Sequence, residues 1–212
     1  GKNNNIEYHI DKEMGEVIDG FNGGKSTAMV LNFNYTNTID MYFNSKYSDY
    51  VSINNIHGNL GNTDSIVFGY GDEMDVNYEK MEQLNENEYL KNMKSFYYLK
   101  SNNYRGLIRF VGAGKYDIIV MGHSCGVSDR VLLNYIFEHE NCENIKIYYH
   151  QKDAKENDFF EKTQEISRHF RPVLKNKMRA KIVPFNECFP LVEYKDGSEG
   201  KMNVWKTLAS QS

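Results

Sequence analysis

Cysteine and proline are both scarce, with three of each in 212 residues. Cys125, Cys142 and Cys188 form no closely spaced pair, which excludes a disulfide scaffold and predicts reduced thiols in a cytoplasmic setting. Long apolar runs are missing too. A membrane-spanning helix needs roughly 20 apolar residues, whereas runs such as Ile118 to Met121 are only strand-sized. The start of the chain does not read as a secretion signal. Basic charge is not in excess: the formal net charge is −4, so general affinity for a nucleic-acid backbone is not expected. There is no internal repeat and no Pro/Gly/Ser-rich linker, so one domain is expected over residues 1–212. Apolar residues are plentiful, at 40% hydrophobic and 14% aromatic, enough for a packed core.

The order of apolar periods predicts alternating elements. Ile6, Ile10, Met14, Val17, Ile18 and Phe21 recur at steps of three and four, predicting an amphipathic helix within a helical segment 1–24 that Gly23 and Gly24 end. Ala28 to Phe33 reads as a strand, followed by a helical stretch through Ile39, Tyr42 and Phe43. Tyr50 to Ile56 reads as a second strand and Ser65 to Phe68 as a third. Asn85 to about Lys100 reads as a helix, with Tyr97 inward and Tyr98 at the surface. Tyr104 to Val111 is a further helix, Asp117 to Met121 a strand buried on both faces, and Ser128 to Glu140 a helix with Ser128 as its N-cap. Ile145 to Tyr149 is a strand, and Phe159 to Phe170 a helix halted near Pro172. Residues 191–212 are expected to form a polar tail with a turn at Lys195 to Lys201, pairing at an edge or packing loosely. Strands alternating with helices predict an α/β fold: a Rossmann-like, mainly parallel sheet flanked by helices.

In such folds ligands bind beyond the carboxyl ends of the strands, so residues just after strands are the candidates. Three turns qualify: Asn34-Tyr35-Thr36, His57-Gly58 and Gly122-His123-Ser124-Cys125-Gly126. Asn34 offers an amide that both donates and accepts. His57 suits proton transfer near neutral pH. Gly58 permits close approach. The Gly122–Gly126 turn precedes a helix N-terminus, a natural anion site, to which Ser124 adds a hydroxyl, and Asp129 lies in the first helical turn. Each residue has a plainer reading: Asn34 as a turn former, His57 as a histidine bonded to a carbonyl, Ser124 as a cap, Asp129 as a dipole residue.

The strings LNFNYTNTID (31–40), INNIHGNL (53–60), IVFGYGDEMD (66–75) and IVMGHSCGVSDRVLLNYIF (119–137) resemble the bacteriophage abortive-infection AbiH family. The likeness covers most of residues 28–150. It implies a cytoplasmic bacterial phage-defence protein. A more distant similarity is to sirtuins and sirtuin-like defence proteins, which use NAD. It implies that Asn34 orients ribose or water, that His57 is the catalytic base, and that Gly122 and Ser124 hold the nucleotide. Thr36, Gly58, His123 and Asp129 complete the implied nucleotide site, Thr36 standing where that family has an acid and His123 where it has Thr. NAD is then the implied substrate, cleaved at its nicotinamide–ribose bond. No Cys lies between His57 and Gly122, so the sirtuin zinc ribbon is absent. The Gly-Asn-Gly-Phe-Asp type turn that opens AbiH members is not found. Asn22-Gly23-Gly24-Lys25 does not replace it, and the chain is expected to begin downstream of it, truncated at its N-terminus. The expected partners are a small-molecule nucleotide, a phage trigger protein and further copies of the chain as a homo-oligomer; no membrane and no nucleic acid is expected.

Three other readings stand beside this one. A nucleotide- or phage-component-binding sensor without enzymatic activity fits Thr36 in place of an acid. Gly122 to Gly126 also matches G-x-S-x-G, the nucleophile elbow of serine hydrolases, with Ser124 attacking and Asp153 or Asp158 and His169 as partners. There His169 falls mid-helix, whereas a hydrolase histidine usually sits on a loop. No metal is expected, because neither His123/Cys125 nor His139/Cys142 has a second pair at zinc spacing. The aromatic stretch at 96–98 beside Lys94, Lys100 and Arg105 suggests nucleic-acid stacking only weakly, and the basic run 175–181 reads as a solvated face.

Overall fold

The computed structural model describes residues 3–19, 28–43, 47–69, 73 and 75–194. The glycine stop at 23–24, the turn Asn22–Lys25 and the polar turn at 195–201 lie outside them.

Helix α1 (Asn4–Asp19) opens the described chain, with Asn3 Oδ1 accepting from the Asn5 N–H as a side-chain cap. Its buried positions His9, Ile10, Glu13 and Met14 recur at helical spacing. Ile10 and Met14 pack with Tyr47 in a small cluster that also touches Ala28, Val51 and Met121. Strands β1 (Ala28–Asn32) and β2 (Val51–Asn55) pair in parallel, Ala28 opposite Val51 and Asn32 opposite Asn55. A run of short helices follows: α2 (Val76–Gln83), α3 (Asn87–Leu90), α4 (Lys94–Tyr97) and α5 (Asn103–Gly112). Strand β3 (Tyr116–Met121), α6 (Arg130–Glu138) and β4 (Cys142–Tyr148) form a second parallel unit. Helices α7 (Phe159–His169) and α8 (Lys175–Lys181) close the described chain.

The main core gathers Leu132, Ile136 and Phe137 of α6, Ile145 and Ile147 of β4, Ile166 of α7, and Leu107 and Val111 of α5. The open edge of β4 is covered by the chain after α8. Ile182 bridges Ile145, Pro190 bridges Tyr149, and Leu191 N–H donates to Tyr149 O at 2.8 Å. Residues 182–191 thus meet this edge through single bridges, and the tail beyond residue 194 lies outside the described residues.

The α/β alternation and the parallel pairing match the sequence reading, while a Rossmann-like sheet is not established. Among the described residues the strands form two separate two-stranded pairs, β1 with β2 and β3 with β4. Ser65 to Phe68 is not a strand. Thr63–Ser65 makes a 3-10 turn, and the segment is held to the site by Val67 N–H donating to His57 O. The expected helix over 85–100 is broken. Asn85 adopts a left-handed φ of 54°, and Met93 is extended so that its side chain reaches the interior at 1% exposure. The helix expected from Ser128 begins two residues later, and Ser128 does not cap it. The basic run 175–181 does form a helix, with residues 176, 177, 179 and 180 exposed and Lys175, Met178 and Lys181 half-buried. No described helix is long and apolar enough to cross a membrane.

Candidate functional site

Parallel pairing puts residues 33–34, 57 and 123 just past the carboxyl ends of β1, β2 and β3. Asp129, the residue immediately before α6, is where two of these turns meet. Its Oδ1 accepts from His57 Nε2 at 3.0 Å and from Lys94 Nζ at 2.6 Å, and its Oδ2 faces His123 Nε2 at 3.5 Å. An aspartate in this position ordinarily caps the helix with its own carboxylate, yet Asp129 makes no cap bond. Both oxygens are turned to the cluster instead. His57, Lys94 and Asp129 are all buried, and the carboxylate–ammonium pair lies in low dielectric. Burial pushes the Asp129 carboxyl up. The bonds from His123, His57 and Lys94, together with the Lys94 charge, outweigh it and hold the group well below the usual carboxylate range.

Both nitrogens of His57 face acceptors, since Nδ1 lies 3.1 Å from Phe33 O. Tyr98 lies nearly parallel to the His57 ring, with ring centroids 6.3 Å apart, and its hydroxyl is 3.5 Å from Nε2. Tyr98 is thus buried at 3% exposure, and Tyr97 is only partly buried, the reverse of the sequence reading. The reason is that Lys94 and Tyr98 are four apart and share the face of α4 that meets Asp129. Burial, and then the Asp129 charge, push the Tyr98 hydroxyl far above its ordinary range.

His123 is the partly exposed member of the cluster, its side chain 20% accessible. Its Nδ1 accepts from the Cys125 N–H at 3.0 Å, so that nitrogen carries no proton, and Nε2 carries the one facing Asp129. Its ring lies 4.1 Å from that of Phe33.

The other expected residues sit elsewhere. Asn34 and Thr36 are exposed on the loop after β1: Asn34 N–H donates to Asn32 Oδ1, and Thr36 Oγ1 pairs with Thr38. Gly58, at φ +84°, is pressed against the chain itself; a Cβ there would meet Ser65 O at 2.2 Å. Gly122 is exposed at φ +73°. Ser124 faces a separate cavity of about 520 Å³ between its turn and α7, shared with Gly126, Val127, Asp158, Glu161 and Lys162. Neither His57 nor Asp129 lines it. Asn34, His57 and Ser124 therefore do not converge on one pocket; His57, His123 and Asp129 do converge. The Cys125 N–H, which a phosphate-cradling turn would aim outward, is taken by His123, so this amide does not serve an anion.

The hydrolase arrangement is not assembled. His169 is fully buried, and its Nε2 donates to Cys125 O at 2.7 Å. The left-handed non-glycine residue of the turn is Cys125, at φ 56°, rather than Ser124. Burial pushes the Cys125 thiol up to about 12.

Lys94 and Asn32 are functional-looking residues that sequence reasoning passed over. Asn32 is buried and donates to Asn55 Oδ1 at 2.8 Å, tying β1 to β2 beneath the site. Neither carries a local signal: the burial of Lys94 rests on Asp129, 35 positions away, and that of Asn32 on the register of β1 against β2.

The fold and cluster define an α/β protein with a polar site at the ends of parallel strands. The chain belongs to the bacteriophage abortive-infection family AbiH, whose family model matches residues 3–151. No curated protein and no solved structure matches it.

Proposed function

We propose that this chain is a cytoplasmic phage-defence protein acting by abortive infection, and that its strand-end cluster receives a nucleotide, NAD first among the candidates. The observation that carries the reading is the convergence on one carboxylate, Asp129, of imidazoles from the ends of two strands and an ammonium from α4. Buried charges gathered at strand ends suit ligand recognition better than they suit packing. In this reading His123, with Asn34 and Thr36 on the neighbouring loop, meets the ligand. His57, Asp129 and Lys94 set the charge and orientation behind it.

The occupied nitrogens of His57 favour binding over turnover. A general base needs a free lone pair aimed at substrate, and His57 as placed has none. A nucleotide-binding sensor is therefore the form of the proposal that the geometry favours, with NAD cleavage the second form.

Calorimetry of the chain with NAD and with ADP-ribose tests the binding, and phage plating on cells producing wild type or His123→Ala tests the link to defence. Binding and protection, both lost in His123→Ala, are expected. Protection by a chain that binds neither compound would overturn the nucleotide reading. Loss of NAD on incubation separates the enzymatic form from the sensor.

A further inference from the structure

Helix α7 lies against the Gly122–Gly126 turn. Its two most buried polar side chains both reach the Gly122–Gly126 turn. Lys162 Nζ donates to the carbonyl of His123 at 2.8 Å, and His169 Nε2 donates to the carbonyl of Cys125 at 2.7 Å. Lys162 is 9% exposed and His169 fully buried. Between the two held carbonyls, the Cys125 N–H returns to His123 Nδ1. Cys125 itself stays at a left-handed φ of 56°, a conformation that a non-glycine residue keeps only where its surroundings enforce it.

We propose that Lys162 and His169 are positioning residues, a two-point clamp that fixes the tautomer and direction of the His123 imidazole. The clamp rests on the reading that His123 is the ligand-facing member of the site. The chain of bonds is directional. Holding the His123 and Cys125 carbonyls turns the Cys125 N–H inward. That N–H occupies Nδ1 and leaves the only ring proton on Nε2, toward Asp129. With the carbonyls released, two of the contacts that hold the turn around the left-handed Cys125 are lost, and Nδ1 becomes free to carry the proton. Lys162 also lies 3.5 Å from Asp158 Oδ2, which keeps its own charge paired. Among the described residues Nδ1 of His169 has no hydrogen-bond partner, so the ring makes its hydrogen bond to the Cys125 carbonyl.

The test is nitrogen NMR of histidine-labelled chain, with the His123 signals assigned from His123→Gln. Wild type is expected to show an unprotonated Nδ1 and a protonated Nε2 at His123. Lys162→Met and His169→Leu are expected to move that signature toward mixed tautomers. Lys162→Arg and His169→Gln, which keep a donor, are expected to restore it. Nucleotide binding should weaken at least tenfold in the two clamp-less variants and recover in the conservative ones. If His169→Leu does not fold, Lys162→Met decides alone, and if neither folds, a His123 signature altered in both conservative variants despite native circular dichroism counts against the clamp. An unchanged His123 signature in folded Lys162→Met overturns it. The NMR readout needs no nucleotide. A tautomer shift in a chain that binds none leaves the clamp standing and removes the nucleotide reading, and binding without a shift does the reverse.

Discussion

His57 Nε2 and Asp129 Oδ1 lie 3.0 Å apart although the two residues are 72 positions apart in the chain. The same oxygen holds the Lys94 ammonium, so one atom fastens the end of β2, helix α4 and the start of α6.

Asp129→Asn removes the charge and leaves the buried Lys94 ammonium uncompensated. A loss of roughly 3 kcal/mol in unfolding free energy is expected, as for other broken buried pairs. Adding Lys94→Met to Asp129→Asn should cost much less than the two separate losses combined, because the groups touch. Urea denaturation of the four proteins reads this coupling, and additive losses would show that the pair is not coupled.

The same carboxylate shapes the acid limb of stability. Its folded-state pKa is depressed below the ordinary 3.8. Its contribution is therefore fully present above that value and is lost as pH falls below it. The slope is about 1.4 kcal/mol per pH unit while only the unfolded chain binds the proton. Thermal melts between pH 5 and pH 2 (a range of roughly three units around the carboxylate reference values) should show a shallower decline for Asp129→Asn than for wild type. Parallel curves would mean that Asp129 is not the depressed group.

Two glycines with left-handed backbones separate strain from collision. Gly122→Ala meets only Leu191 Cδ2 at 3.7 Å, an ordinary contact, so it should lose only the roughly 1–2 kcal/mol of conformational strain. Gly58→Ala drives its Cβ into Ser65 O, which is backbone and cannot turn aside. Its loss should be about twice as large or more. Equal midpoints in chemical denaturation would contradict the packing around Gly58.

The thiols should be silent in the native state. Burial pushes Cys125 up to about 12 and Cys142 up to about 11, and it also raises Cys188. All three are free and buried. Native chain at pH 8 (roughly the ordinary range of a free thiol) should resist iodoacetamide, while urea-unfolded chain takes up three equivalents. Rapid native labelling at Cys125 would reopen a nucleophilic role for the Gly122–Gly126 turn.

Much of this was legible in the sequence because it rested on short-range pattern. Ala28–Asn32 and Tyr116–Met121 are largely apolar runs and Val51–Asn55 alternates Val51 and Ile53 with polar residues, each bounded by turns, and the three post-strand turns follow from them. His57, His123 and Asp129 were found on that basis. Lys94 was not, since a lysine gives no local sign that it will be buried, and its partner stands 35 positions away. Asn34 stands out in the sequence because it opens a turn just past a strand, while the buried amide pair of Asn32 with Asn55 depends on strand register. Tyr97 and Tyr98 exchanged roles because the helix over 85–100 breaks at Met93, which resets the inward face. The GHSCG string likewise does not specify which non-glycine residue takes the left-handed backbone, and here that residue is Cys125 rather than Ser124.

The rings of Phe33 and His123, 4.1 Å apart, join the end of β1 to the end of β3. Because the two strand pairs share no ladder among the described residues, this junction is stitched by side chains, which slide where backbone bonds would resist. On the proposed reading of His123 as the ligand-facing residue, a molecule seated there would press on the joint between the two strand pairs.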